Sequence, residues 1–413
     1  MTNPQKIVVI GAGINGASAA IWLARAGHDV TLIDRDGPGA GASYGNAGLL
    51  AQWAIIPVNT PGIALNGLKY ALSRKEPLFV QWSYLPRMLP WLGRFLANAT
   101  DARARRTVEA LIPLLTDSVD QHKALTRGTI AAKWVATSDF IYAYESRAAF
   151  DHDSYGWDLR RAAGMTPDLI EGGAVREVEP MLGPAINLLA VLRGHGHILD
   201  PGAYVADLVN VLKSEGGIYM QAELTDITMT GGRISGVLTD QGRLPCDLAV
   251  LTAGIWSRDI MRKLGLRVPL EAERGYHLQF INPSQKPRNP IMITRGKFGA
   301  TPMQCGFRCA GTVELGSIAK GPSRAPLDLI ARNVKRAFPD LTFDRVEEWM
   351  GFRPSTPDSL PLIGEIGQTG VYAGFGHQHV GLTAGPKTGR LIADMISGKR
   401  PNLDMSPYDA NRF

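Results

Sequence analysis

The stretch KIVVIGAGINGASAAIWLARAGHDVTLIDRD, residues 6–36, decides the fold of this chain. Gly11, Gly13 and Gly16 follow an apolar run of the kind found in buried strands and open an Ala-rich helical stretch, and a second strand ends at Asp34. This order and spacing are typical of a βαβ unit that binds a dinucleotide. The pyrophosphate then lies at the helix N-terminus, and the carboxylate accepts hydrogen bonds from a ribose. A βαβ unit without a ligand is the alternative, which so many matched features disfavour.

Three further glycine-rich segments bear on the choice of dinucleotide, since FAD and NAD use the same crevice. Residues 37–53 form either a flexible connection or a second loop around the cofactor. Residues 247–257 end in small residues that let the backbone pass close to a bulky group. Residues 370–398 predict a strand, a turn and a helix beginning near Gly381, whose N-terminus can face the anionic edge of a reduced flavin. Two glycine-rich loops on one side of the sheet favour FAD.

The composition fits a folded globular protein that handles acidic small molecules or anionic surfaces. The 413 residues are 45% hydrophobic, and 44 Lys plus Arg against 38 Asp plus Glu give a formal charge of +6. Because the basic residues are scattered, we expect no nucleic-acid partner. Three cysteines are too few for a disulfide framework and indicate a reducing compartment. With no signal-peptide pattern and no apolar stretch of about 18 residues, a cytoplasmic protein is expected.

The candidate metal ligands are two His-x-His pairs, at 195–197 and 377–379, and a Cys-x3-Cys pair at 305–309. None of these pairs has the additional cysteines, histidines or carboxylates that are typical of a metal site. We therefore expect no metal.

Several stretches are similar to the FAD-dependent amine and D-amino-acid oxidoreductases, which include D-amino-acid oxidase, glycine oxidase, sarcosine oxidase and bacterial D-amino-acid dehydrogenase. Besides the first motif they are GASYGNAG (41–48), GHILDPGAYVADL (196–208), DLAVLTAGIWS (247–257), ERGYHLQF (273–280), GFRPSTPDSLPLIG (351–364) and GFGHQHVGLTAGPKTG (374–389). The similarity runs nearly end to end. The first-loop serine, the insertion after that loop and the C-terminal GH…GLT most resemble the D-amino-acid dehydrogenase branch.

The resemblance implies particular roles for several side chains. Arg353 is expected to bind the substrate carboxylate, which suits a planar guanidinium, although an arginine that bonds loop carbonyls is an alternative. Tyr276 is expected to share that carboxylate or else to point into the core. From their position in the turn near the flavin, His377 and His379 are expected to assist deprotonation of the substrate or to contact the ring, or else to be structural.

The resemblance further implies noncovalent FAD. Sarcosine-oxidase-like relatives hold flavin through a cysteine just before this arginine, whereas residues 349–352 are Trp, Met, Gly and Phe here. The expected cofactor-binding residues are Gly11, Gly13, Ile14, Asn15, Gly16, Asp34, Arg35, Ser43, Asn46, Ala47, Gly48, Leu49, Leu224, Ala253, Gly254, Gly376, His379, Gly381, Leu382 and Thr383.

The reaction implied is oxidative deamination of a small amino or imino acid, with the D-form expected, by hydride transfer from Cα to flavin N5. The product is a 2-oxo acid or a cyclic imine. A quinone or respiratory carrier is expected as the electron acceptor, ahead of oxygen. The alternatives are a glycine- or sarcosine-type oxidase that uses oxygen, and a flavin-binding subunit of a larger oxidoreductase complex.

Residues 57–100 combine leucines and aromatic residues with basic residues. They fit equally a helical hairpin packed on the substrate domain and a peripheral membrane contact on the inner face of the cytoplasmic membrane. In the second case the cations would face anionic head groups. These cations are Lys69, Arg74, Lys75, Arg87 and Arg94.

The fold class expected is α/β, with a Rossmann-type FAD-binding domain and a substrate domain built on a largely antiparallel sheet, as in glutathione-reductase-like FAD folds. We expect the FAD-binding domain at residues 1–56, 196–265 and 349–413. The substrate domain is expected at 57–195, with the helical insertion 57–100, and at 266–348.

Overall fold

The computed structural model describes residues 3–73 and 75–413, apart from the side chains of residues 64–66 and 68. The strands in this part are β1 (Lys6–Ile10), β2 (Asp29–Asp34), β3 (Leu49–Leu50), β4 (Leu78–Val80), β5 (Val135–Tyr144), β6 (Asp168–Glu171), β7 (Leu188–Ile198), β8 (Ile218–Gln221), β9 (Leu224–Thr230), β10 (Arg233–Thr239), β11 (Gly242–Pro245), β12 (Leu248–Leu251), β13 (Glu271–Ile281), β14 (Ile291–Ile293), β15 (Phe298–Met303), β16 (Gly306–Leu315), β17 (Arg345–Ser355), β18 (Leu362–Glu365) and β19 (Val371–Phe375).

The α-helices in the same part of the chain are α1 (Ile14–Arg25), α2 (Ala42–Gly45), α3 (Ile63–Leu72), α4 (Leu85–Ala97), α5 (Asp101–Leu115), α6 (Ser118–Thr126), α7 (Arg147–His152), α8 (Ser154–Ala162), α9 (Ala174–Val178), α10 (Pro201–Ser214), α11 (Ser257–Lys263), α12 (Arg324–Ala337) and α13 (Gly381–Ile396). Short 3-10 helices lie at Ile130–Trp134, Gly254–Trp256 and Ser406–Tyr408.

A six-stranded sheet combines strands from both ends and the middle of the chain, in the order β18-β19-β12-β1-β2-β8. Its neighbouring strands are parallel except for the pair β18 and β19. Strand β1 is buried along Ile7–Ile10, as expected when both faces of a parallel sheet are covered. Helices α1 and α13 pack together beside this sheet. Only glycine fits at Gly16, because a Cβ there would lie 1.8 Å from the Gly11 carbonyl oxygen.

The second sheet runs in the order β17-β13-β16-β15-β14-β5-β7-β3, with β4 paired to β16 and β6 paired to β7. It is largely antiparallel; β14 with β5 and β4 with β16 are parallel pairs. The expected fold class is therefore confirmed. Strand β3 and the ends of β7 and β17 belong to this second sheet but lie in pieces expected for the FAD-binding domain, whose boundaries stay a prediction.

The insertion 57–100 forms α3, β4 and α4. One face of α4 buries Met88, Trp91 and Phe95, which pack with Leu315 at the end of β16. The Trp91 indole N–H also donates to the Ser355 carbonyl oxygen at 3.1 Å. The insertion thus covers the edge of the second sheet near β17. Arg74, one of the cations expected to face a membrane, lies outside the described residues. Within the described residues, no helix is both long and apolar enough to cross a bilayer.

Candidate functional site

A cavity of about 730 Å³ is lined by residues from both large sheets. This volume falls within the usual range for small-molecule and cofactor sites. Of the residues expected to bind cofactor or substrate, Tyr276, Gly16, Gly48 and Gly376 do not line the cavity, whereas all the others do. The first, second and C-terminal glycine-rich segments, which are far apart in sequence, therefore meet at one site.

The start of α1 lines the cavity with a helix N-terminus that can bind an anion. The Ile14 backbone N–H donates to the Ser43 hydroxyl oxygen at 2.9 Å, so the second loop lies directly against the helix N-terminus. Because this hydroxyl accepts from the helix, its own hydrogen remains available to a phosphate oxygen. The helix dipole favours the same negative charge.

The Asp34 carboxylate is held in place by backbone amides at the end of β2. It accepts hydrogen bonds from the N–H groups of Ala12 at 2.7 Å, Asp36 at 2.9 Å and Gly37 at 3.2 Å. These bonds fix the carboxylate without using all of its lone pairs, so it can still accept from a ribose diol. Beside it, the Arg35 guanidinium lies 4.2 Å from the centroid of the Trp256 ring, and both residues line the cavity.

The contacts of His377 indicate a structural role, in place of the proton transfer expected of it. Its Nδ1 lies 3.0 Å from Nδ2 of Asn15, and its Nε2 lies 2.9 Å from the Thr388 hydroxyl. Since the Asn15 amide nitrogen only donates, Nδ1 accepts and the Nε2 hydrogen is given to Thr388. Burial lowers the pKa of His377 to about 3. The ring is therefore neutral, with both nitrogens engaged, and it ties α1 to α13.

The second loop is held by an arginine that the sequence did not single out. The buried Arg308 of β16 donates from Nη1 to the carbonyl oxygens of Tyr44 and Asn46, at 2.7 and 2.8 Å. Within the loop, the Asn46 side chain donates to the Ser43 carbonyl and accepts from the Gly48 amide. Desolvation lowers the pKa of Arg308. These contacts fix the segment between α2 and β3, which lines the cavity.

Arg353 also lines the cavity, and its side chain crosses β13. A Cβ on Gly275 would come within 2.5 Å of Arg353 Nη2, so glycine leaves the room that the guanidinium occupies. Its Nη1 donates to the Thr312 carbonyl oxygen at 3.3 Å. Thr312 has a φ of 57° and lies at a register shift between β13 and β16, a type of irregularity that can re-aim a backbone group at a site.

The charge of Arg353 has only distant compensation. Glu273 is its cross-strand neighbour and is 4% exposed, and it accepts a hydrogen bond from the Ser355 hydroxyl at 2.6 Å. Burial raises the pKa of Glu273, while Ser355 and the Arg353 cation oppose that rise. Among the described residues, no carboxylate oxygen lies within 4 Å of the Arg353 guanidinium. Arg353 is therefore a cation in the cavity wall without a close anionic partner in the described chain.

The expected role of Tyr276 in carboxylate binding is wrong. Side chains alternate along β13, so Glu273 and Gly275 face the cavity while Tyr276 faces the other way. Its ring packs in the core beneath α12, and its hydroxyl bonds the Glu314 carboxylate, the Arg274 guanidinium and the Ser323 amide. Tyr276 is thus part of a buried polar network behind the sheet.

The turn before α13 supplies His379 to the cavity wall near Arg353. Its side chain is exposed towards the cavity. Desolvation where the ring meets the cavity wall, with a smaller effect of the Arg353 cation, lowers the pKa of His379. The neighbouring Gln378 has a φ of 48°, and its buried Oε1 has no hydrogen-bond partner in the described part of the chain. The turn therefore presents a neutral imidazole and an amide oxygen to a ligand.

The residues present fit FAD. Two helix N-termini, an oriented carboxylate and a backbone loop fixed by Arg308 line one cavity. The buried Asn15 Oδ1 beside them has no partner among the described atoms, which suits a cofactor donor. Cys246, Cys305 and Cys309 are free, and none of the three lines the cavity. The described site therefore suits FAD held without a thioether link.

The match to a family model described as DAO, FAD dependent oxidoreductase, covers residues 6–395. The chain thus belongs to this family of FAD-dependent oxidoreductases, and FAD is its cofactor.

Individual relatives agree with this assignment. The chain is 37% identical to the D-amino-acid oxidase of Bradyrhizobium diazoefficiens, with 100% of both chains covered. It is 30% identical to the D-amino acid dehydrogenase of Methylobacterium nodulans, with 99% of each covered. The solved glycine oxidase of Geobacillus kaustophilus matches with a TM-score of 0.72 at 20% identity, over 100% of both chains, and supports the fold.

Proposed function

We propose that the protein oxidises a small amino or imino acid, the D-form in the case of primary amino acids. The substrate loses a hydride from Cα and a proton from nitrogen, and water then converts the imine to a 2-oxo acid and ammonia. A cyclic substrate would instead leave as the imine. FAD, when bound, supplies the hydride acceptor at N5 of its isoalloxazine ring. The curated relatives include both an oxidase and dehydrogenases of D-amino acids.

The observation that carries the proposal is the Arg353 guanidinium, which lines the cavity without a carboxylate within 4 Å among the described residues. A bidentate, charge-assisted pair with the substrate carboxylate would orient Cα within the cavity. Desolvation and the nearby Arg353 cation lower the pKa of His379, which disfavours a role for it as the base that deprotonates an ammonium group. The positive charge of Arg353 instead favours the neutral amine, and His379 accepts a hydrogen bond from it.

An anaerobic absorbance titration tests the proposal. D-, L-, cyclic and N-methyl amino acids are added to the flavin-loaded protein, and we expect D-amino acids to bleach the flavin. Arg353→Met should lower the second-order rate of bleaching by at least about 100-fold, the scale of a lost charged hydrogen-bond pair. Arg345→Met changes a surface arginine at the other end of β17 and should have no effect.

Other outcomes would refute parts of the proposal. Bleaching that survives in Arg353→Met contradicts the carboxylate-binding role. A protein that no amino acid bleaches would favour the alternative of a flavin-binding subunit in a larger complex. Bleaching by L- or N-methyl amino acids alone would contradict the expected D-form.

We further propose that the electrons pass to a quinone or respiratory carrier, with residues 57–100 in contact with the inner face of the cytoplasmic membrane. Support comes from α4, whose outward face carries Leu89, 55% exposed, and Leu96, 37% exposed. Arg87 and Arg94 are exposed on the same helix, and neither has an acidic partner within 4 Å in the described chain. Apolar and basic side chains side by side suit an anionic bilayer surface.

The electron acceptor can be tested with the substrate-reduced protein. A short-chain ubiquinone should reoxidise the flavin faster than air-saturated buffer does. Peroxide formation at the full turnover rate would instead identify an oxidase that uses oxygen.

A further inference from the structure

We propose that Arg160 forms a second carboxylate-binding site in the cavity, so that the preferred substrates carry an acidic side chain. The inference rests on the proposed function, in which Arg353 holds the α-carboxylate. Arg160, on α8, lines the same cavity although its side chain is largely buried, with 6% exposure.

The hydrogen bonds of Arg160 leave its charge unbalanced. Its Nε donates to the Trp53 carbonyl at 3.1 Å, Nη1 to the Gly156 carbonyl at 3.3 Å and Nη2 to the Tyr142 hydroxyl at 3.0 Å. All three acceptors are neutral. Of the five N–H groups in a guanidinium, these bonds engage three, which leaves donors for a ligand.

The acidic groups near Arg160 in sequence are already paired elsewhere. Asp158 accepts from Arg161, and Asp153 accepts from the Tyr144 hydroxyl. Across the described residues, no carboxylate oxygen lies within 4 Å of the Arg160 guanidinium. Because a buried cation without an anion is costly, an anionic ligand would stabilise this site.

Aromatic rings hold the guanidinium in one orientation. Its central carbon lies 5.1 Å from the centroid of Tyr142 and 4.9 Å from that of Trp157. Such contacts restrict the planar group without neutralising it. The Arg160 guanidinium is therefore already oriented for a carboxylate in the absence of a ligand.

The partners of the two arginines are far enough apart for a short dicarboxylate to lie between the guanidinium groups. Tyr142, the partner of Arg160, lies on β5, and Thr312, the partner of Arg353, lies on β16. Strands β5, β14, β15 and β16 are consecutive neighbours, and their register leads from Tyr142 to Ala310, two residues before Thr312. Three inter-strand steps and two residues along β16 place the backbones of the two partners about 16 Å apart. Two guanidinium carbons that grip the ends of a five-carbon diacid are roughly 13 Å apart, given bonds near 1.5 Å and hydrogen bonds near 2.8 Å.

The segment of residues 53–59 provides an apolar wall for the carbon skeleton of the ligand. The segment starts at Trp53, which bonds Arg160, and ends at Asn59, whose amide donates to the Pro357 carbonyl near Arg353. Ala54, Ile56 and Val58 line the cavity along the way. Methylene groups of a D-aspartate or D-glutamate side chain would contact this wall.

The wild-type holoenzyme alone can test the second site. Binding of glutarate and of butyrate is followed through the flavin spectrum, and we expect glutarate to bind at least about tenfold more tightly, from an added charged hydrogen bond. Equal dissociation constants would overturn the inference. If D-alanine or D-norvaline bleaches the flavin in that same preparation, the proposed function stands while the second site fails.

Kinetics of variants provide the matched comparison. Arg160→Met should lower the ratio of kcat/KM for D-glutamate to that for D-glutamine by at least about tenfold, from loss of the same charged hydrogen bond. Arg161→Met, at the neighbouring exposed arginine, should leave the ratio unchanged. An equal fall for both substrates in Arg160→Met, with no change in their ratio, would mean that Arg160 only holds the segment at Trp53 and would overturn the inference.

Discussion

Glu273 and Arg353 are cross-strand neighbours with opposite charges, yet they do not form a close ion pair. The buried carboxylate is engaged by Ser355, so it offsets the Arg353 charge from a distance. We predict that Glu273→Gln tightens the binding of a simple carboxylate such as propionate several-fold, because removing a charge at this range changes the energy by about 1 kcal/mol. The dissociation constant can be measured through the flavin spectrum.

A matched change on the next strand provides the control. Glu347→Gln alters an exposed carboxylate of β17 that pairs with Arg345 and should not change propionate affinity. If Glu273→Gln leaves the affinity unchanged or weakens it, Glu273 does not offset the charge of Arg353.

Local sequence patterns locate some site residues and miss others. Asp34 and the glycines of the first motif could be predicted because the motif spacing fixes their geometry. Tyr276 was misplaced because the motif does not reveal which face of β13 it occupies. Arg160 and Arg308 had no local signal, since their roles depend on partners distant in sequence or on the cavity itself. Glu273 begins a family-like stretch, but its role depends on Ser355, 82 residues away.

At the scale of elements, α4 has two faces with different tasks. Met88, Trp91 and Phe95 hold it to the protein, while Leu89 and Leu96 face outward. We predict that the double change Leu89→Glu and Leu96→Glu lowers cosedimentation with vesicles rich in phosphatidylglycerol by at least about tenfold, because it removes apolar contact and adds repulsion. Turnover of an amino acid with a soluble dye should be preserved.

Ile218, on the edge strand β8, is 60% exposed and provides a control at a different surface. Ile218→Glu should leave vesicle binding intact. Should the α4 double variant bind vesicles as the wild type does, residues 57–100 act only as a cover for the second sheet.

The sequence predicted most elements of the first sheet, whose strands carry continuous apolar runs. The sequence did not decide between protein packing and membrane contact for residues 57–100, because an apolar helical pattern is compatible with both. The structure shows which face of α4 packs on the protein, and the vesicle experiment tests whether the outward face binds a membrane.

At the scale of the whole molecule, several buried histidines couple folding to pH. Burial lowers the pKa values to about 3 or 4 from 6.5, so the unfolded chain takes up protons first as the pH falls. Stability should therefore fall between pH 6.5 and about 4, by about 1.4 kcal/mol per pH unit for each such histidine. The histidines are His122, His195, His197, His277 and His377.

Urea unfolding of FAD-saturated protein from pH 7.5 to 5 measures this slope. His122→Gln removes one buried imidazole, which lies between the Tyr204 hydroxyl and the Leu382 carbonyl, and should make the slope shallower by one histidine's share. His152→Gln, on the surface, should leave it unchanged. A slope that is the same in all three proteins would contradict the assignment.

The packing of α1 against α13 sets the order in which the protein can be completed during synthesis. Strand β1 and α1 are synthesised long before α13, but the cavity beside them is also lined by Leu382 and Thr383 at the start of α13. A nascent chain that has not yet reached the C-terminal helix therefore has a glycine-rich loop and no closed cavity. We therefore expect stable flavin binding only after α13 has been synthesised, and little bound flavin in a chain that ends before residue 381.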